Sequence, residues 1–330
     1  MRAVRTVAVI NQKGGVGKTT TVANLGAALA ARGHDTCLID LDPQSHLTLH
    51  LGVEPGQPGI STYDVITGGQ PLASALVAIS PHLWLAPSVI DLAAAEVELV
   101  GQVGREQVLR DSLHAAALPH EFALIDCPPS LGLLTLNALA AAEEVLIPLQ
   151  PHFLALQGLG KLLETVSLVQ RRINPGLRVS GVTLCLYEAN VRLSSEVVAD
   201  LRQFFDAARG SPSPWSEARI FQTAIRRNVK LAECPSHGKT IFDYEPRSHG
   251  AADYDALAEE FLGAAAARAV QAAPQGDRLS VSLAGCPPGD SAAASPPNPP
   301  AAACPPASGD PVPSPACTGA AAANGPPPPK

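Results

Sequence analysis

The sequence predicts an α/β fold: a doubly wound, mostly parallel sheet with helices on both faces. Short apolar runs rich in β-branched residues alternate with longer segments of helical periodicity, which is the pattern of successive βαβ units. The first apolar run leads through a glycine-rich loop directly into a helical segment. No apolar run reaches the roughly 18 residues of a membrane span, so we expect a soluble, cytoplasmic protein.

Each predicted strand is a short, mostly apolar run, and the first two end at polar residues. In chain order the strands are 6–10, 36–39, 83–86, 122–125, 145–148, 179–184 and 220–223. Periodicity predicts helices at 18–32, 105–117, 131–142, 156–172 and 194–208, with a final alanine-rich helix at 251–273. Ligands of such sheets bind at the carboxyl ends of the strands, so polar residues that follow strands are site candidates.

Composition divides the chain into one folded domain, 1–273, and a tail, 274–330. The last 60 residues hold 16 of the 32 prolines, five charged residues and no aromatic residue. A segment of this composition buries too little apolar surface to offset the entropy of ordering it, so we expect the tail to be disordered. The rest of the chain is long enough for one sizeable core.

Charge and cysteine content narrow the class of protein. The net charge is −7, from 30 acidic and 23 basic residues, which by itself disfavours a constitutive nucleic-acid binder. The seven cysteines form no Cys-x-x-Cys pair. Their odd number and scattered spacing indicate reduced thiols rather than disulfides or a zinc site.

The loop after the first strand, 11–20, reads Asn-Gln-Lys-Gly-Gly-Val-Gly-Lys-Thr-Thr. Its glycines allow backbone N–H groups to point inward at a phosphate, and the following helix adds the positive end of its dipole. Lys18 would contact the β- and γ-phosphates of a nucleotide, and the Thr19 hydroxyl would bind Mg²⁺. The predicted nucleotide-binding residues are Lys13, Gly14, Gly15, Val16, Gly17, Lys18, Thr19 and Thr20.

Two positions depart from the common form of this loop. Gln12 occupies the place of the first glycine in GxxxxGK[ST]. Lys13 opens the loop on the far side from the phosphates that the loop itself binds. A lysine there is better placed to reach a neighbouring subunit across a two-fold axis, as an arginine finger does in trans. The alternative is an ordinary solvated lysine.

Three motifs together resemble those of the ParA/MinD group of deviant P-loop ATPases, and within it the Soj-like ParA proteins of chromosome and plasmid partitioning. They are the segments 13–20, Leu-Ile-Asp-Leu-Asp-Pro-Gln at 38–44 and Leu-Ile-Asp-Cys-Pro-Pro-Ser at 124–130. The likeness covers about 5–262 and includes 227–231 and 235–239. It implies ATP and Mg²⁺ as cofactors and an ATP-sandwich homodimer in which Lys13 touches the partner's nucleotide.

Three aspartates follow strands near the loop. Asp40 and Asp42 lie two residues apart at a strand end, so both project to one face. Asp126 ends another strand, and we expect its carboxylate to contact Mg²⁺ through a water molecule bound to the metal. Many P-loop ATPases carry a glutamate next, but here Cys127 follows. Asp42 is therefore the best candidate to position the attacking water.

The resemblance implies the same role for Asp42 and places Asp40 nearer the metal. The predicted metal ligands are thus Thr19, Asp40 and Asp126, and the predicted catalytic residues are Lys13, Lys18 and Asp42. A strand-end capping role is the alternative for Asp40 and Asp42. Without a strong general base, hydrolysis is expected to be slow. Residues 126–137 would form the switch that reports the nucleotide state.

A small basic patch follows the last predicted strand. Between 219 and 247 there are six bases and three acids, a balance of +3 in a chain of net charge −7. A dimer would double its phosphate contacts, and the salt-dependent affinity grows with the phosphates neutralised. The resemblance implies non-specific DNA contacts at Lys230, with Arg227 beside it. A second family arginine falls at Asn190, so Arg192, two residues on, is the candidate there.

The resemblance also implies a partitioning cycle in the cytoplasm. An ATP-bound dimer would coat nucleoid DNA, and a ParB-like centromere-binding partner would stimulate hydrolysis and release it. No membrane attachment is expected. A MinD-like membrane-associated positioning ATPase would need a basic amphipathic C-terminal helix, whereas 253–268 carries Asp255, Glu259 and Glu260 against one arginine.

Two other enzymes share this kind of loop. An iron–sulfur reductase would need two suitably placed thiolates, and Cys127 and Cys185 are better explained as buried small residues. An ATP-dependent biosynthetic enzyme would need a substrate pocket that the sequence does not display.

Overall fold

The computed structural model describes residues 4–57, 59–116, 119–152, 154–188 and 190–272, with side chains as far as residue 263. Nearly all of the predicted domain 1–273 falls within the described residues. The predicted tail, 274–330, lies outside them. No helix among the described residues combines the length and the hydropathy that crossing a bilayer would require.

Eight strands form one sheet in the described part of the chain. They are β1 (Arg5–Val9), β2 (Thr36–Asp40), β3 (Val77–Ser80), β4 (Leu83–Ala86), β5 (Phe122–Asp126), β6 (Glu144–Leu149), β7 (Arg178–Leu184) and β8 (Arg219–Ile220). Their order is β3-β4-β2-β5-β1-β6-β7-β8. Every neighbouring pair is parallel except β3 and β4. The predicted fold class is confirmed.

Helices cover both faces of the sheet. They are α1 (Lys18–Ala31), α2 (His46–His50), α3 (Thr62–Gly68), α4 (Leu72–Ala75), α5 (Ala95–Glu98), α6 (Val108–Ala116), α7 (Leu133–Ala141), α8 (Ala155–Arg172), α9 (Arg192–Ala207), α10 (Val229–Glu233), α11 (Ile241–Tyr244) and α12 (His249–Ala272). Short 3₁₀ helices lie at Ile90–Ala94, Leu99–Gly101 and Cys234–His237.

The alternation of side chains along β1 separates two hydrophobic cores. Val7 and Val9 belong to the core that includes α1 and α12, whereas Ala8 between them belongs to the core that includes α7, α8 and α9. Successive strand residues point to opposite faces, so the apolar and buried run Val7–Val9 of β1 requires cover on both sides. This explains the three-layer architecture from the strand sequence.

The strand order brings the candidate acids to the phosphate loop. β5 lies between β1 and β2. In the strand register Val9 is opposite Asp126, and Asp126 is opposite Asp40. Because these three strands are parallel, the loop that follows β1 and both carboxylates meet at the carboxyl edge of the sheet.

Some elements differ from the sequence prediction. β3 was not predicted because its residues alternate between half-buried and exposed, without a continuous apolar run. The helices α2, α3, α4, α5, α10 and α11 were missed because four to seven residues are too few for periodicity. The helix predicted at 105–117 begins at Val108, and residue 117 lies outside the described residues.

The prediction of a last strand at 220–223 is wrong in its bounds, because β8 ends at Ile220. The Glu260 carboxylate of α12 accepts hydrogen bonds from the backbone N–H groups of Gln222, at 2.8 Å, and Thr223, at 3.0 Å. A side chain thus takes the donors that a longer strand would have given to the sheet.

Candidate functional site

Two glycines in the left-handed region shape the phosphate loop between β1 and α1. Gly15 has a φ of 72° and Gly17 a φ of 95°, a conformation that a side chain disfavours. Gly17 is also the N-cap of α1 and gives the first turn no side-chain hydrogen bond. The N–H groups that begin this 14-residue helix therefore stay available to an anion.

The Lys18 side chain is buried beside two acids. Its Nζ donates to the backbone carbonyl of Lys13 at 3.3 Å. Burial lowers the pKa of the amine, and the charges of Asp126 and Asp42 act in the opposite direction. A buried cation at the open end of α1 fits the phosphate-binding role that the loop sequence predicts.

Asp126 is completely buried, yet neither carboxylate oxygen has a hydrogen-bond partner in the described part of the chain. Burial raises the pKa of this carboxyl and the charge of Asp40 raises it further. The Thr19 hydroxyl lies near enough to lower the pKa but does not complete a hydrogen bond. Such oxygens are costly to bury unless something binds them.

A hydrated Mg²⁺ would supply the partner that Asp126 lacks. Mg²⁺ is usually held by one or two carboxylates together with substrate phosphates and water, not by a complete protein cage. The described residues contain no group of three or more His, Cys, Asp or Glu side chains arranged as a metal site. Thr19 and Asp126 therefore fit the predicted metal.

Asp40 has both carboxylate oxygens engaged. Oδ2 accepts from the Thr48 N–H at 2.9 Å and from the Thr48 hydroxyl at 2.7 Å, and Oδ1 accepts from the Asp42 N–H at 3.1 Å. Burial raises the pKa to about 7 although these hydrogen bonds act to lower it. In this structure Asp40 ties β2 to α2, which is the capping alternative. A direct contact of Asp40 with Mg²⁺ stays a prediction.

Asp42 lies on the wall of the cavity beside the loop. Its Oδ1 accepts from the Gln44 N–H at 2.9 Å, and its backbone carbonyl accepts from the Ser88 hydroxyl at 2.8 Å. These bonds fix the segment after β2. Asp42 is thus held near Lys18, and its role in positioning water stays a prediction.

Lys13 is exposed at the start of the loop. Its backbone N–H donates to Asn11 Oδ1 at 3.0 Å. Its Nζ lies 2.8 Å from His152 Nε2 and 3.4 Å from Gln150 Oε1. An exposed edge position suits a residue that serves a second subunit, and that role stays a prediction.

The loop opens into a cavity of about 680 Å³, a size that suits a nucleotide. One wall is formed by Gly14, Gly15, Gly17, Lys18, Thr19, Thr20 and Asp42. Further lining residues come from the C-terminal half and include Leu186, Ile225, Arg226, Asn228, Leu231, Pro235 and Tyr254. No nucleotide role was predicted for these residues, although the segments 227–231 and 235–239 of the resemblance contain Asn228, Leu231 and Pro235.

Arg226 of the basic patch is paired with an acid from outside the patch. Its guanidinium donates to Asp253 of α12 at 2.6 Å through Nη2 and at 3.1 Å through Nε, and its backbone N–H donates to the same carboxylate at 3.0 Å. This arginine lines the cavity and is neutralised. The Arg219 guanidinium lies 5.1 Å from the centroid of the Phe221 ring. The balance of +3 therefore overstates the charge available to DNA.

The three DNA candidates are exposed on neighbouring segments. The side chains of Arg192, Arg227 and Lys230 are 93%, 64% and 45% exposed. Each pairs with a nearby acid: Arg192 with Glu196 at 3.0 Å, Arg227 with Glu188 at 2.9 Å and Lys230 with Glu233 at 2.8 Å. Exposed ion pairs contribute little free energy, so a phosphate could displace these acids.

The cysteines in the described part of the chain are buried and unpaired, namely Cys37, Cys127, Cys185 and Cys234. Burial raises the pKa of Cys185 to about 12 and that of Cys127 well above its ordinary value. Thiols of this kind are poor metal ligands because the thiolate is the ligand form. The iron–sulfur alternative gains no support.

Sequence comparison with known proteins agrees with the family that the three motifs indicate. A family model described as an AAA domain matches residues 4–179. The sporulation initiation inhibitor protein Soj of Bacillus subtilis is 42% identical over 255 residues, which are 77% of this chain and 96% of that protein. The chromosome partitioning protein ParA of Myxococcus xanthus is 41% identical over 259 residues, 78% of this chain and 88% of that protein.

A solved structure agrees with the sequence relatives. Cobyrinic acid a,c-diamide synthase from Mycobacterium smegmatis, with bound ATP analog and magnesium, superposes with a TM-score of 0.67 at 37% identity. The match covers 79% of this chain and 95% of that one. The resemblance drawn from the three motifs is confirmed, and the chain belongs to the Soj/ParA family of chromosome-partitioning P-loop ATPases.

Proposed function

We propose that this chain is an Mg²⁺-dependent ATPase of DNA partitioning whose ATP-bound form is a homodimer on DNA. One observation carries the proposal: the open N-terminus of α1, buried Lys18 and unpartnered Asp126 meet at one edge of the sheet. An ATP analog and magnesium are bound in a structure 37% identical to this chain. Relatives named for chromosome partitioning match most of its length.

In the proposed reaction the residues of this chain bind the nucleotide and Mg²⁺ and orient the attacking water. Lys18 and the N–H groups of 14–20 would bind the phosphates, and Thr19 and Asp126 would hold Mg²⁺, which would neutralise phosphate charge when bound. Asp42 would orient the attacking water. Cys127 stands where a stronger base would be, so hydrolysis is expected to be slow and to act as a timer.

DNA binding is proposed to follow from dimerisation. Lys13 of each subunit would contact the nucleotide of the other, so that ATP joins two copies. Arg227, Lys230 and Arg192 of both subunits would then face one duplex. Because log K falls with log salt in proportion to the phosphates neutralised, doubling the contacts raises affinity by orders of magnitude at low salt.

Release is proposed to depend on a ParB-like centromere-binding partner. Such a partner would stimulate ATP hydrolysis by the dimer. The dimer would then separate into monomers, which bind DNA weakly. In a cell this cycle would place the protein on the nucleoid. The support for these steps is the family membership of the chain and its exposed basic residues beside the cavity.

A biosynthetic ATPase is the second candidate, because the 37% identical structure is named a diamide synthase. Such an enzyme would use ATP to activate a carboxylic acid for amide formation. ATP turnover would then require an acceptor acid and an amine donor and would be indifferent to DNA. Partitioning is favoured because the relatives named for it reach 43% identity over 78% of the chain.

DNA retention measured with ATP, with ADP and without nucleotide, across a salt series, tests the proposal. We expect retention only with ATP and Mg²⁺, lost steeply as salt rises and the same for unrelated DNA sequences. Sizing with a non-hydrolysable ATP analogue should show a dimer. If the protein stays monomeric with that analogue and shows no ATP-dependent DNA binding, the proposal is refuted and the synthase is favoured.

A further inference from the structure

The Lys13 ammonium is bound within its own chain in this structure. Its Nζ lies 2.8 Å from His152 Nε2 and 3.4 Å from Gln150 Oε1. Both partners lie in the segment between β6, which ends at Leu149, and α8, which begins at Ala155. The Lys13 side chain therefore links the phosphate loop to the segment between β6 and α8.

The His152 ring cannot satisfy both of its neighbours. Its Nδ1 faces the Leu154 N–H at 3.1 Å, at the start of α8. A neutral imidazole has one N–H and one acceptor nitrogen. If Nδ1 accepts from the Leu154 N–H, Nε2 carries the ring hydrogen, and this N–H faces the Lys13 ammonium. In the other tautomer Nε2 accepts from Lys13, but the N–H at Nδ1 then faces the N–H of Leu154.

Protonation of the ring would not resolve this conflict. A cationic imidazole has no acceptor nitrogen and carries the same charge as Lys13. Burial lowers the pKa of His152, and the charge of Lys13 lowers it further, so the neutral ring is favoured. Gln150 at 3.4 Å adds one long hydrogen bond. Lys13 thus has one ring contact that accepts its hydrogen in a single tautomer and one long hydrogen bond.

We propose that His152 and Gln150 are positioning residues that hold Lys13 back in the single chain, and that Lys13 must leave them before ATP joins two subunits. This inference rests on the proposed function, in which Lys13 acts across the dimer. The apparent affinity of a dimer is reduced by the fraction of each subunit that is competent to pair. A weak hold therefore sets the protein concentration at which ATP dimers form.

Removing the hold should tighten the ATP dimer. One exposed hydrogen-bond contact corresponds to about a fivefold change in an equilibrium constant, and each dimer releases two of them. With a non-hydrolysable ATP analogue and Mg²⁺, we expect His152→Ala to lower the dimer dissociation constant by about fivefold or more in analytical ultracentrifugation. His152→Gln keeps an acceptor for Lys13 and should restore the wild-type constant.

Two controls separate this effect from folding. Gln157→Ala changes an exposed residue of α8 and should leave the constant unchanged. A variant that folds poorly would form fewer dimers, which is the opposite of the expected direction. Rescue by His152→Gln would show that the hydrogen-bond acceptor, and not the volume of the ring, sets the dimer constant.

An NMR titration of His152 tests the contact directly in the nucleotide-free chain. Because the Lys13 charge lowers the pKa of His152, Lys13→Ala should raise it, whereas Gln157→Ala should not. An unmoved titration, together with a wild-type dimer constant in His152→Ala, would overturn the hold. Failure of the proposed function gives a different result: Lys13→Ala itself would still form ATP dimers.

Discussion

At the scale of single residues, two buried aspartates on adjacent strands have different environments. Asp40 and Asp126 are opposite each other in the β2–β5 register, and both are fully buried. Asp40 receives two hydrogen bonds from Thr48, while Asp126 has none in the described part of the chain. The difference comes from α2, which supplies donors only on the β2 side. Asp126 is therefore the better-supported metal residue.

Asp42 and Lys13 should separate hydrolysis from dimerisation. Asp42→Ala should bind ATP but lose turnover by about 100-fold or more, because misplacing the attacking water costs on that order, and it should trap a DNA-bound dimer. Lys13→Ala should keep ATP binding and lose the dimer. ATP turnover and sizing measure these outcomes. A monomeric Asp42→Ala protein with normal turnover would contradict the assignment.

His50 of α2 should make folding sensitive to acid. It is 1% exposed, and burial lowers its pKa from 6.5 to about 4. Between these values the unfolded chain binds a proton that the folded chain does not. The free energy of unfolding should therefore fall by up to about 3 kcal/mol as pH drops from 6.5 to 4. Urea denaturation of His50→Gln between pH 7 and 4.5 should show a flatter loss, and an unchanged slope would contradict this.

At the scale of elements, one side chain fixes α7 beside α6. Asn137 Oδ1 accepts from the Leu109 N–H at 3.1 Å, and its Nδ2 donates to the carbonyls of Arg105 at 2.8 Å and Leu133 at 3.1 Å. The segment 126–137, which we expect to report the nucleotide state, thus ends at an anchored residue. Movement in that segment would have to occur before Asn137.

Asn137→Ala should lower the free energy of unfolding by about 1–3 kcal/mol, because it leaves the buried Leu109 N–H without an acceptor. Asn174→Ala is the matched comparison. Asn174 donates to the carbonyls of Leu139 and Ala142 at the other end of α7, and unpaired carbonyls are tolerated better than N–H groups. Urea denaturation measures both. An equal or larger loss in Asn174→Ala would argue against the anchor.

At the scale of the whole molecule, the proposed DNA binding would have to use a small basic surface, because the chain has a net charge of −7. Lys230 lies 2.8 Å from Glu233 and 5.7 Å from the centroid of the Tyr244 ring. Lys230→Glu should keep the ATP dimer but lose DNA retention and reduce the salt slope by about one per contact. Lys161→Glu, an exposed lysine of α8, is the control and should change the slope less.

The boundary predicted at residue 274 has its own test. Among the residues that the structure describes, those lining the cavity beside the phosphate loop all lie between Gly14 and Tyr254. A chain that ends at residue 273 should therefore keep its ATPase rate and its ATP-dependent dimer. Sizing and turnover of the truncated and full chains compare the two. A large loss of either would show that 274–330 contributes to the site.

Much of this protein follows from local sequence. The central strands, the long helices, the loop from Lys13 to Thr20 and the acids after β2 and β5 are all set by short-range patterns. Buried parallel strands are apolar throughout, and phosphate loops need glycine at left-handed positions. Family membership could be inferred for the same reason, since the three motifs keep their order and spacing.

Other features depend on contacts between distant segments, and only the tertiary structure decided them. Glu260 of α12 ends β8, Thr48 satisfies Asp40 but not Asp126, Asp253 removes Arg226 from the basic patch, and His152 holds Lys13. In each case a side chain from another element completes or competes for a hydrogen bond. Which partner a polar group finds depends on three-dimensional proximity, and no local pattern encodes it.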